Sequence, residues 1–260
     1  MAGLILLSVA SAQELQYEVA SIRPAPADRR NGVGPSGGPG TEDPTRVRYS
    51  FFSLRLLLTT AYGMNYHQIQ IPARLDSGDR FDIVANVPPG ATKQQALIML
   101  QNFLIERFHL KLHRETKILP HYELSVSSSG FKLKPYADGP GRRVGTGIGD
   151  GDIGVHVGTD RNHMIARKAS MAILTRVLSD DLDTPVVDKT GITGEYDFDF
   201  DYSREGLDGF RRALADAPEP SGAPTLQTAL QESLGLKLEM KKGPVDLLVV
   251  DSGEKAPSEN

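Results

Sequence analysis

The sequence predicts an α+β fold made of two tandem related units, each with two helices packed on a small mixed sheet. The main observation is a repeated order of segments, which is the first pattern to look for in a sequence. Residues 53–57 begin a helix, residues 80–84 form a strand, and FHLKL at residues 108–112 closes a second helix. The same order returns as a helix at residues 170–174, a strand at 196–202 and a closing LGLKL at 234–238. The second observation, alternation of Asp with aromatic residues at 196–202, favours an extended strand there.

These repeats set the expected boundaries. We predict a first unit at residues 14–126, a Gly/Asp-rich linker at 127–161, a second unit at 162–251 and a frayed tail at 252–260. The 260 residues, 39% of them hydrophobic, suffice for a sizeable core. The formal net charge of −4 gives no general attraction to phosphate backbones, so no nucleic-acid partner is expected. The absence of Cys excludes disulfides and thiolate chemistry.

The N-terminal stretch has the pattern of an export signal. Residues 1–13, MAGLILLSVASAQ, are apolar and end in a small-x-small pattern, which predicts a signal peptide and a secreted or periplasmic protein. The basic start of a signal peptide is missing, so an apolar N-terminal strand is the alternative. The run is too short to span a bilayer, and no membrane span is expected elsewhere in the chain.

The first unit combines strand-like alternation with helices that have one apolar face. Ser53 and Thr92 are suitable N-caps, because a side-chain hydroxyl oxygen accepts a hydrogen bond from an otherwise unpaired amide of the first turn. Residues 31–44 are rich in Gly and Pro and predict a surface loop. The predicted strands are residues 17–24, 80–87, 108–113 and 121–126, and the predicted helices are residues 53–62 and 92–108.

The second unit has the same kinds of signal. Ser170 and Thr225 are the expected N-caps, and Gly235 is the expected C-terminal cap of the last helix. Its predicted helices are residues 170–178 and 225–234, and its predicted strands are residues 162–166, 185–188 and 196–202. Residues 236–240 and 245–250, separated by Lys-Lys-Gly-Pro, predict a closing hairpin. The acidic residues after the first helix of this unit, 180–183, are expected to be solvated.

The linker contains the first candidate site. Asp150, Asp152 and Asp160 lie among glycines and predict oxygen ligands for a hard cation such as Ca²⁺, which accepts many oxygens in loose geometry. His156 or His163 would act as the general base, since an imidazole titrates near neutral pH. A solvated loop is the alternative, because Asp and Gly are common turn residues.

The strand at 196–202 contains a rival ligand set. Asp197, Asp199 and Asp201 share one face, whereas the aromatic residues face the other way. Their spacing imitates the start of an EF-hand loop, but Tyr202 occupies the sixth position, where that loop requires glycine. A charged outer strand face is the alternative interpretation. The pattern leaves open whether this face meets the linker site.

Five segments carry a family resemblance: VASIRP at residues 19–24, RFDI at 80–83, LIERF at 104–108, PVVDKTG at 185–191 and YDF at 196–198. Through them the chain resembles an uncharacterised exported family of soil acidobacteria. This family has no settled activity, so the resemblance implies no catalytic residue. Each unit is also similar to the short N-terminal domain of secretins and TonB-dependent receptors, a small α+β module that works by protein contact.

Two functions follow as hypotheses. The first is an exported hydrolase of small esters or lactones, in which a hard cation such as calcium polarises a carbonyl and activates water. Water is the expected nucleophile, because the sequence lacks Gly-x-Ser-x-Gly and Ser-x-x-Lys motifs. The second is a non-catalytic module that binds a peptide, a glycan or a partner protein through a sheet edge or the Gly-rich loops.

Overall fold

The computed structural model describes residues 15–26, 34–136, 152–157, 161–203, 207 and 222–258. The predicted signal peptide at 1–13 lies outside these residues. The described part is an α+β protein with four α-helices and three four-stranded sheets. None of its helices is both long enough and apolar enough to cross a bilayer.

The elements follow one another in the chain as strands and helices of similar order in both halves. The first half contains β1 (Val19–Pro24), β2 (Gly34–Gly37), β3 (Arg46–Phe52), α1 (Leu54–Tyr62), a 3₁₀ turn (Tyr66–Gln68), β4 (Ile69–Gln70), β5 (Phe81–Asn86), α2 (Lys93–Arg107) and β6 (Lys111–Val126). The second half contains β7 (Lys134–Pro135), β8 (Asp152–Val157), β9 (Arg161–Ala169), α3 (Met171–Leu182), β10 (Val186–Asp188), β11 (Tyr196–Ser203), α4 (Leu226–Ala229), a π-helical turn (Leu230–Leu234) and β12 (Leu236–Ser252).

The strands form two outer sheets and one shared sheet. The first sheet has the order β1-β5-β3-β2 and the third has the order β7-β11-β9-β8, and all the neighbours in both are antiparallel. The second sheet, of order β10-β6-β12-β4, is mixed: β6 and β12 are antiparallel, while β10 runs parallel to β6 and β4 runs parallel to β12. Each half therefore contributes two strands to the shared sheet.

β6 and β12 form a long ribbon that connects the two halves. Their pairing runs from Leu236 opposite Val126 to Ser252 opposite Lys111, with one irregularity near its end. The predicted closing hairpin at residues 241–244 is therefore wrong, because that segment continues as strand. Gly243 leaves room for a neighbouring ring: a Cβ atom there would lie 3.0 Å from Cε1 of the buried His121. The glycine thus allows a close approach across the ribbon, which the sequence pattern did not distinguish from a turn.

Two hydrophobic cores lie on either side of the middle of this ribbon. The first is enclosed by the first sheet with α1 and α2, and Leu248 and Val250 of β12 belong to it. The second is enclosed by the third sheet with α3 and α4, and Leu124, Leu236 and Leu238 of the ribbon belong to it. Each core therefore contains side chains from the shared sheet.

The four predicted helices are confirmed together with their N-caps. Ser53, Thr92, Ser170 and Thr225 each accept a hydrogen bond from the amide three residues ahead, as N-caps do. Gly235 adopts the left-handed conformation after the last helical turn, as predicted. α3 continues to Leu182, four residues beyond its predicted end.

Three segments differ from their predicted form. The predicted surface loop at 31–44 contains β2, and the predicted linker at 127–161 contains β7 and β8, because backbone pairing with a neighbouring strand does not require apolar side chains. The predicted frayed tail instead bonds to the end of α2: the amides of Glu254 and Ser258 donate to the carbonyls of Phe108 and Arg107.

The two halves also touch beside the ribbon. Asn65 donates from Nδ2 to Ser179 Oγ at 3.0 Å, and His67 Nε2 lies 3.5 Å from Asp183 Oδ1. Asp183 caps α3 in the left-handed conformation. These contacts join the end of α3 to the turn that follows α1.

Candidate functional site

The third sheet has an apolar inner face and a polar outer face. On β9, Met164 and Ala166 point into the core, and on β11 the aromatic residues do so. Because successive side chains of a strand alternate, His163, Asp199 and Asp201 point outward. All three are partly exposed. The alternation predicted for residues 196–202 is therefore confirmed.

The register of this sheet brings the two predicted site segments together. His156 of β8 lies opposite His163 of β9, and His163 lies opposite Asp201 of β11. These three residues form one row across three neighbouring strands. The histidines from the linker site and the carboxylates of the strand face, whose meeting the sequence left open, thus share one surface.

His163 lies between two carboxylates. Its Nδ1 is 2.7 Å from Asp201 Oδ1, and its Nε2 is 3.4 Å from Asp199 Oδ1. The shorter contact is a hydrogen bond, in which Nδ1 donates because a carboxylate only accepts. Arg161, on the same strand, lies with Nη1 3.6 Å from Asp201 Oδ2. Arg161 was not among the predicted site residues, although its position two residues before His163 places it on the same strand face.

His156 lies beside His163. Their ring centroids are 6.3 Å apart and their planes differ by 28°, so the two rings are stacked. His156 is exposed. The imidazoles are therefore neighbours on the outer face.

Asp197 has a different role from the other two strand carboxylates. Its Oδ1 accepts a hydrogen bond of 2.9 Å from the backbone amide of Lys168, which has a positive φ of 53°. In the first half, Asp82 Oδ1 accepts a hydrogen bond of 3.0 Å from the amide of Phe51, whose φ is 63°. Both amides lie two residues before a helix N-cap. Asp197 thus supports a strained backbone turn.

The predicted calcium ligands of the linker stay a prediction. Asp150 and Asp160 lie outside the described residues. Asp152 begins β8, where its backbone pairs with Arg167, and its side chain is also outside the described part. Among the residues that the structure describes, no three His, Asp or Glu side chains are arranged to hold a metal ion.

A buried carboxylate lies below this sheet face, at a position that the sequence did not indicate. Asp181 of α3 is fully buried, and Tyr202 Oη donates a hydrogen bond of 2.6 Å to its Oδ2. The prediction that residues 180–183 are all solvated is therefore wrong for Asp181. An acidic run at the end of a helix usually faces water, and nothing in its pattern marks one residue as an internal hydrogen-bond acceptor.

A shallow groove lies in the other half of the molecule. It has a volume of about 330 Å³ and runs between β1 and α2, with Tyr17, Val19, Met99 and Phe103 among its lining residues. Tyr17 donates to the Ala96 carbonyl, and burial raises the pKa of its phenol. Gln16, Glu18, Glu106 and Arg107 also line this groove, so it is of mixed polarity. It is separate from His163 and its carboxylate partners, which lie on the outer face of a different sheet.

The described part of the chain is thus an α+β protein that carries His163 and its carboxylate partners, Asp199 and Asp201, on an exposed sheet face. The chain belongs to the DUF3738 family, described as a protein of unknown function, and the family match covers residues 55–252. The expectation of an uncharacterised family is confirmed at this level. No curated protein and no solved structure matches the chain.

Proposed function

We propose that the chain is a non-catalytic binding module that contacts a partner protein through the middle of the β6–β12 ribbon. The observation that supports it is an exposed apolar surface between the two cores. Ile118 is 61% exposed and Met240 is 53% exposed, and both belong to the middle of the ribbon, where an exposed apolar patch is a mark of a contact surface.

These residues belong to one surface. Three register pairs of the ribbon share one face, because side chains alternate between the two faces along each strand. These pairs are Ile118 with Pro244, Pro120 with Lys242 and Tyr122 with Met240. Five of the six are exposed, and Tyr122 is half-buried. We call these six residues the ribbon patch. The helix layers of both halves cover the ends of the ribbon and leave this patch accessible.

The ribbon also offers strand edges. Among the described strands, β10 pairs with β6 only at residues 122–124, and β4 pairs with β12 only at residues 248–249. The remaining outer edges of the ribbon have no described strand beside them. An extended segment of a partner could pair with such an edge while its side chains contact the patch. We therefore propose an extended peptide segment of another protein as the ligand, in preference to a glycan.

The test uses peptides selected by phage display against the full chain. Selected peptides are titrated calorimetrically into the wild type and into the double variant Ile118→Ser/Met240→Ser. We expect a loss of at least about ten-fold in affinity, because truncating a central apolar contact costs on the order of 2 kcal/mol. Val19→Ser, at a residue that is 66% exposed on the first sheet, is the matched control and should bind normally.

Two outcomes would contradict this proposal. In one, no selected peptide distinguishes the double variant from the wild type. In the other, light scattering shows that the wild type self-associates and that the double variant does not, which would make the ribbon patch an interface between two copies of the chain.

The second candidate is the metal-assisted hydrolase of small esters or lactones. The observation that favours it is the 2.7 Å hydrogen bond between His163 and Asp201, because a carboxylate that orients an imidazole is a common arrangement for a general base. His156, Asp199 and the linker carboxylates would complete this site. Calcium remains the cofactor that the linker pattern suggests.

This candidate is tested by turnover of a panel of aryl esters and acyl lactones, with and without chelator and after re-addition of calcium. We expect activity that needs the metal and falls strongly in His163→Ala and Asp152→Ala. Turnover that neither the chelator nor the two substitutions change would exclude this mechanism, and no turnover of any substrate would leave only the binding module.

We further propose that the chain is built of two related units and is exported. The supporting observations are the matching order of elements, the paired N-caps and the equivalent hydrogen bonds of Asp82 and Asp197. We also propose, from the sequence alone, that each unit is related to the short N-terminal domain of secretins and TonB-dependent receptors, a module that works by protein contact. Export, predicted from residues 1–13, would place the module in the periplasm or outside the cell.

A further inference from the structure

We infer that His163, Asp199 and His156 form a binding site for a first-row transition-metal dication such as Zn²⁺, on the outer face of the third sheet. This inference is independent of the ribbon patch. It shares His163, His156 and Asp199 with the second candidate site, but it differs from the calcium site expected from the linker in its metal and in needing none of the linker carboxylates.

The first observation is the separation of two potential ligand atoms. His163 Nε2 and Asp199 Oδ1 are 3.4 Å apart. Zn²⁺ binds imidazole nitrogen and carboxylate oxygen at about 2.1 Å in tetrahedral geometry, which places two ligand atoms about 3.4 Å from each other. The two atoms are therefore already spaced as two ligands of one tetrahedral ion.

The second observation is the hydrogen bond on the other side of the ring. His163 Nδ1 donates to Asp201 Oδ1, so in the neutral ring Nε2 carries the free electron pair that a metal needs. Histidines that bind metals usually donate their other N–H to a carboxylate or carbonyl, which fixes the ring and raises its basicity. Asp201 is thus a positioning residue for His163.

The third ligand comes from the neighbouring strand. His156 lies opposite His163 in the register, with ring centroids 6.3 Å apart. The His156 ring is exposed, and a rotation about its side-chain torsions would direct a nitrogen to the same ion. No three-ligand group is preformed among the described residues, so this rotation accompanies binding. Water would fill the remaining coordination position.

The chemistry of the ligands selects the metal. Imidazole nitrogen suits Zn²⁺, Ni²⁺ and Cu²⁺, whereas Ca²⁺ takes six to eight oxygen ligands. The local charge is favourable for a dication. Two carboxylates, those of Asp199 and Asp201, lie beside His163, and they are balanced in part by the guanidinium of Arg161, which contacts Asp201. Two imidazoles and a carboxylate are also the ligand types found in many zinc sites.

The full untagged chain is first freed of bound metal with a chelator. It is then titrated calorimetrically with ZnCl₂ and, in a separate experiment, with CaCl₂. We expect saturable 1:1 binding of Zn²⁺ and no binding of Ca²⁺ at this site. His163→Ala should abolish Zn²⁺ binding. Asp201→Asn should weaken it by roughly ten- to hundred-fold, since this is the usual effect of losing the carboxylate behind a metal-binding histidine. Circular dichroism of each variant checks that it folds.

His113→Ala is the matched control. His113 Nδ1 lies 2.9 Å from Asp251, so this residue is also an exposed histidine paired with a carboxylate, but it belongs to the ribbon. Its removal should leave Zn²⁺ binding unchanged. The inference is overturned if the wild type does not bind Zn²⁺, if folded His163→Ala binds it as tightly as the wild type does, or if Ca²⁺ competes for the same site.

Discussion

Asp82 and Asp197 make the same hydrogen bond in the two halves of the protein. Each carboxylate, at the second residue of β5 or β11, accepts from the amide of a residue with positive φ two positions before a helix N-cap. A non-glycine residue in that conformation costs free energy, so the turn needs a partner that stabilises it. The aspartate carboxylate is that partner, at the turn between β3 and α1 in the first half and between β9 and α3 in the second.

Removal of either aspartate should therefore destabilise the protein. We expect Asp82→Ala to lower the free energy of unfolding by about 1–3 kcal/mol, because a partly buried amide loses its acceptor. Asp197→Ala should cost less, since Asp197 is less buried. Chemical denaturation measures both. Asp199→Ala, on the same face of β11, is the control and should cost less than about 1 kcal/mol. Equal losses in Asp197→Ala and Asp199→Ala would contradict this role.

Two glycines with nearly the same φ angle should respond differently to substitution. Gly235 has φ 68° and Gly191 has φ 67°. A Cβ atom at Gly235 would lie 1.9 Å from the Gly130 carbonyl oxygen, whereas one at Gly191 would meet no atom within 4 Å. Gly191→Ala should cost about 1–2 kcal/mol, the strain of the left-handed conformation alone. Gly235→Ala should cost more than about 3 kcal/mol in the same denaturation experiment. Similar values for both would show that Gly130 moves aside at little cost.

The contact between the halves at His67 should make stability depend on pH. Burial lowers the pKa of His67 from its ordinary value of 6.5, and the Asp183 carboxylate only partly opposes this. The folded state therefore favours the neutral ring. The stability that comes from this preference is present above pH 6.5 and is lost as the pH falls through the lowered pKa of His67. Chemical denaturation at a series of pH values should show that the free energy of unfolding decreases from pH 7 to pH 5. The decrease should be smaller in His67→Gln, and an equal decrease in this variant and the wild type would refute the assignment to His67.

The buried hydrogen bond between Tyr202 and Asp181 should contribute to stability. Both residues are fully buried, and the phenol donates to the carboxylate at 2.6 Å. Tyr202→Phe should cost about 1–3 kcal/mol, because the carboxylate loses a donor that water cannot replace. Tyr196→Phe removes a hydroxyl on the same strand that donates to the Thr193 carbonyl at a partly buried position, and should cost less. Thermal unfolding of the two variants compares them directly.

The sequence predicted the helices because each has a local start signal. A hydroxyl at Ser53, Thr92, Ser170 and Thr225 precedes an apolar face of helical period, and both signals are properties of neighbouring residues. Strand partners are not local properties. The Lys-Lys-Gly-Pro segment before Val245 has the composition of a turn, but it pairs with β6, and its glycine lies where a Cβ atom would be 3.0 Å from the ring of His121 on that strand.

The candidate site was predictable in part for the same reason. Alternation placed Asp199 and Asp201 on the outer face of β11, and the structure agrees. Their contact with His163 depends on the register between β9 and β11, which no periodicity determines. The separate role of Asp197 depends on the backbone conformation of Lys168, a residue with no distinctive local pattern. The buried Asp181 depends on Tyr202, a residue of another element.

The shared ribbon has a consequence for how the chain folds. Thr116 and Asp246, which hydrogen-bond across it, are 130 residues apart in the sequence. Because chain entropy must be lost before such distant segments pair, topologies of this kind fold slowly. The first core also needs Leu248 and Val250 from the last strand. α1 and α2 therefore keep part of their apolar face exposed until the last strand has joined the first core, and we expect the chain to be most prone to aggregation in that interval.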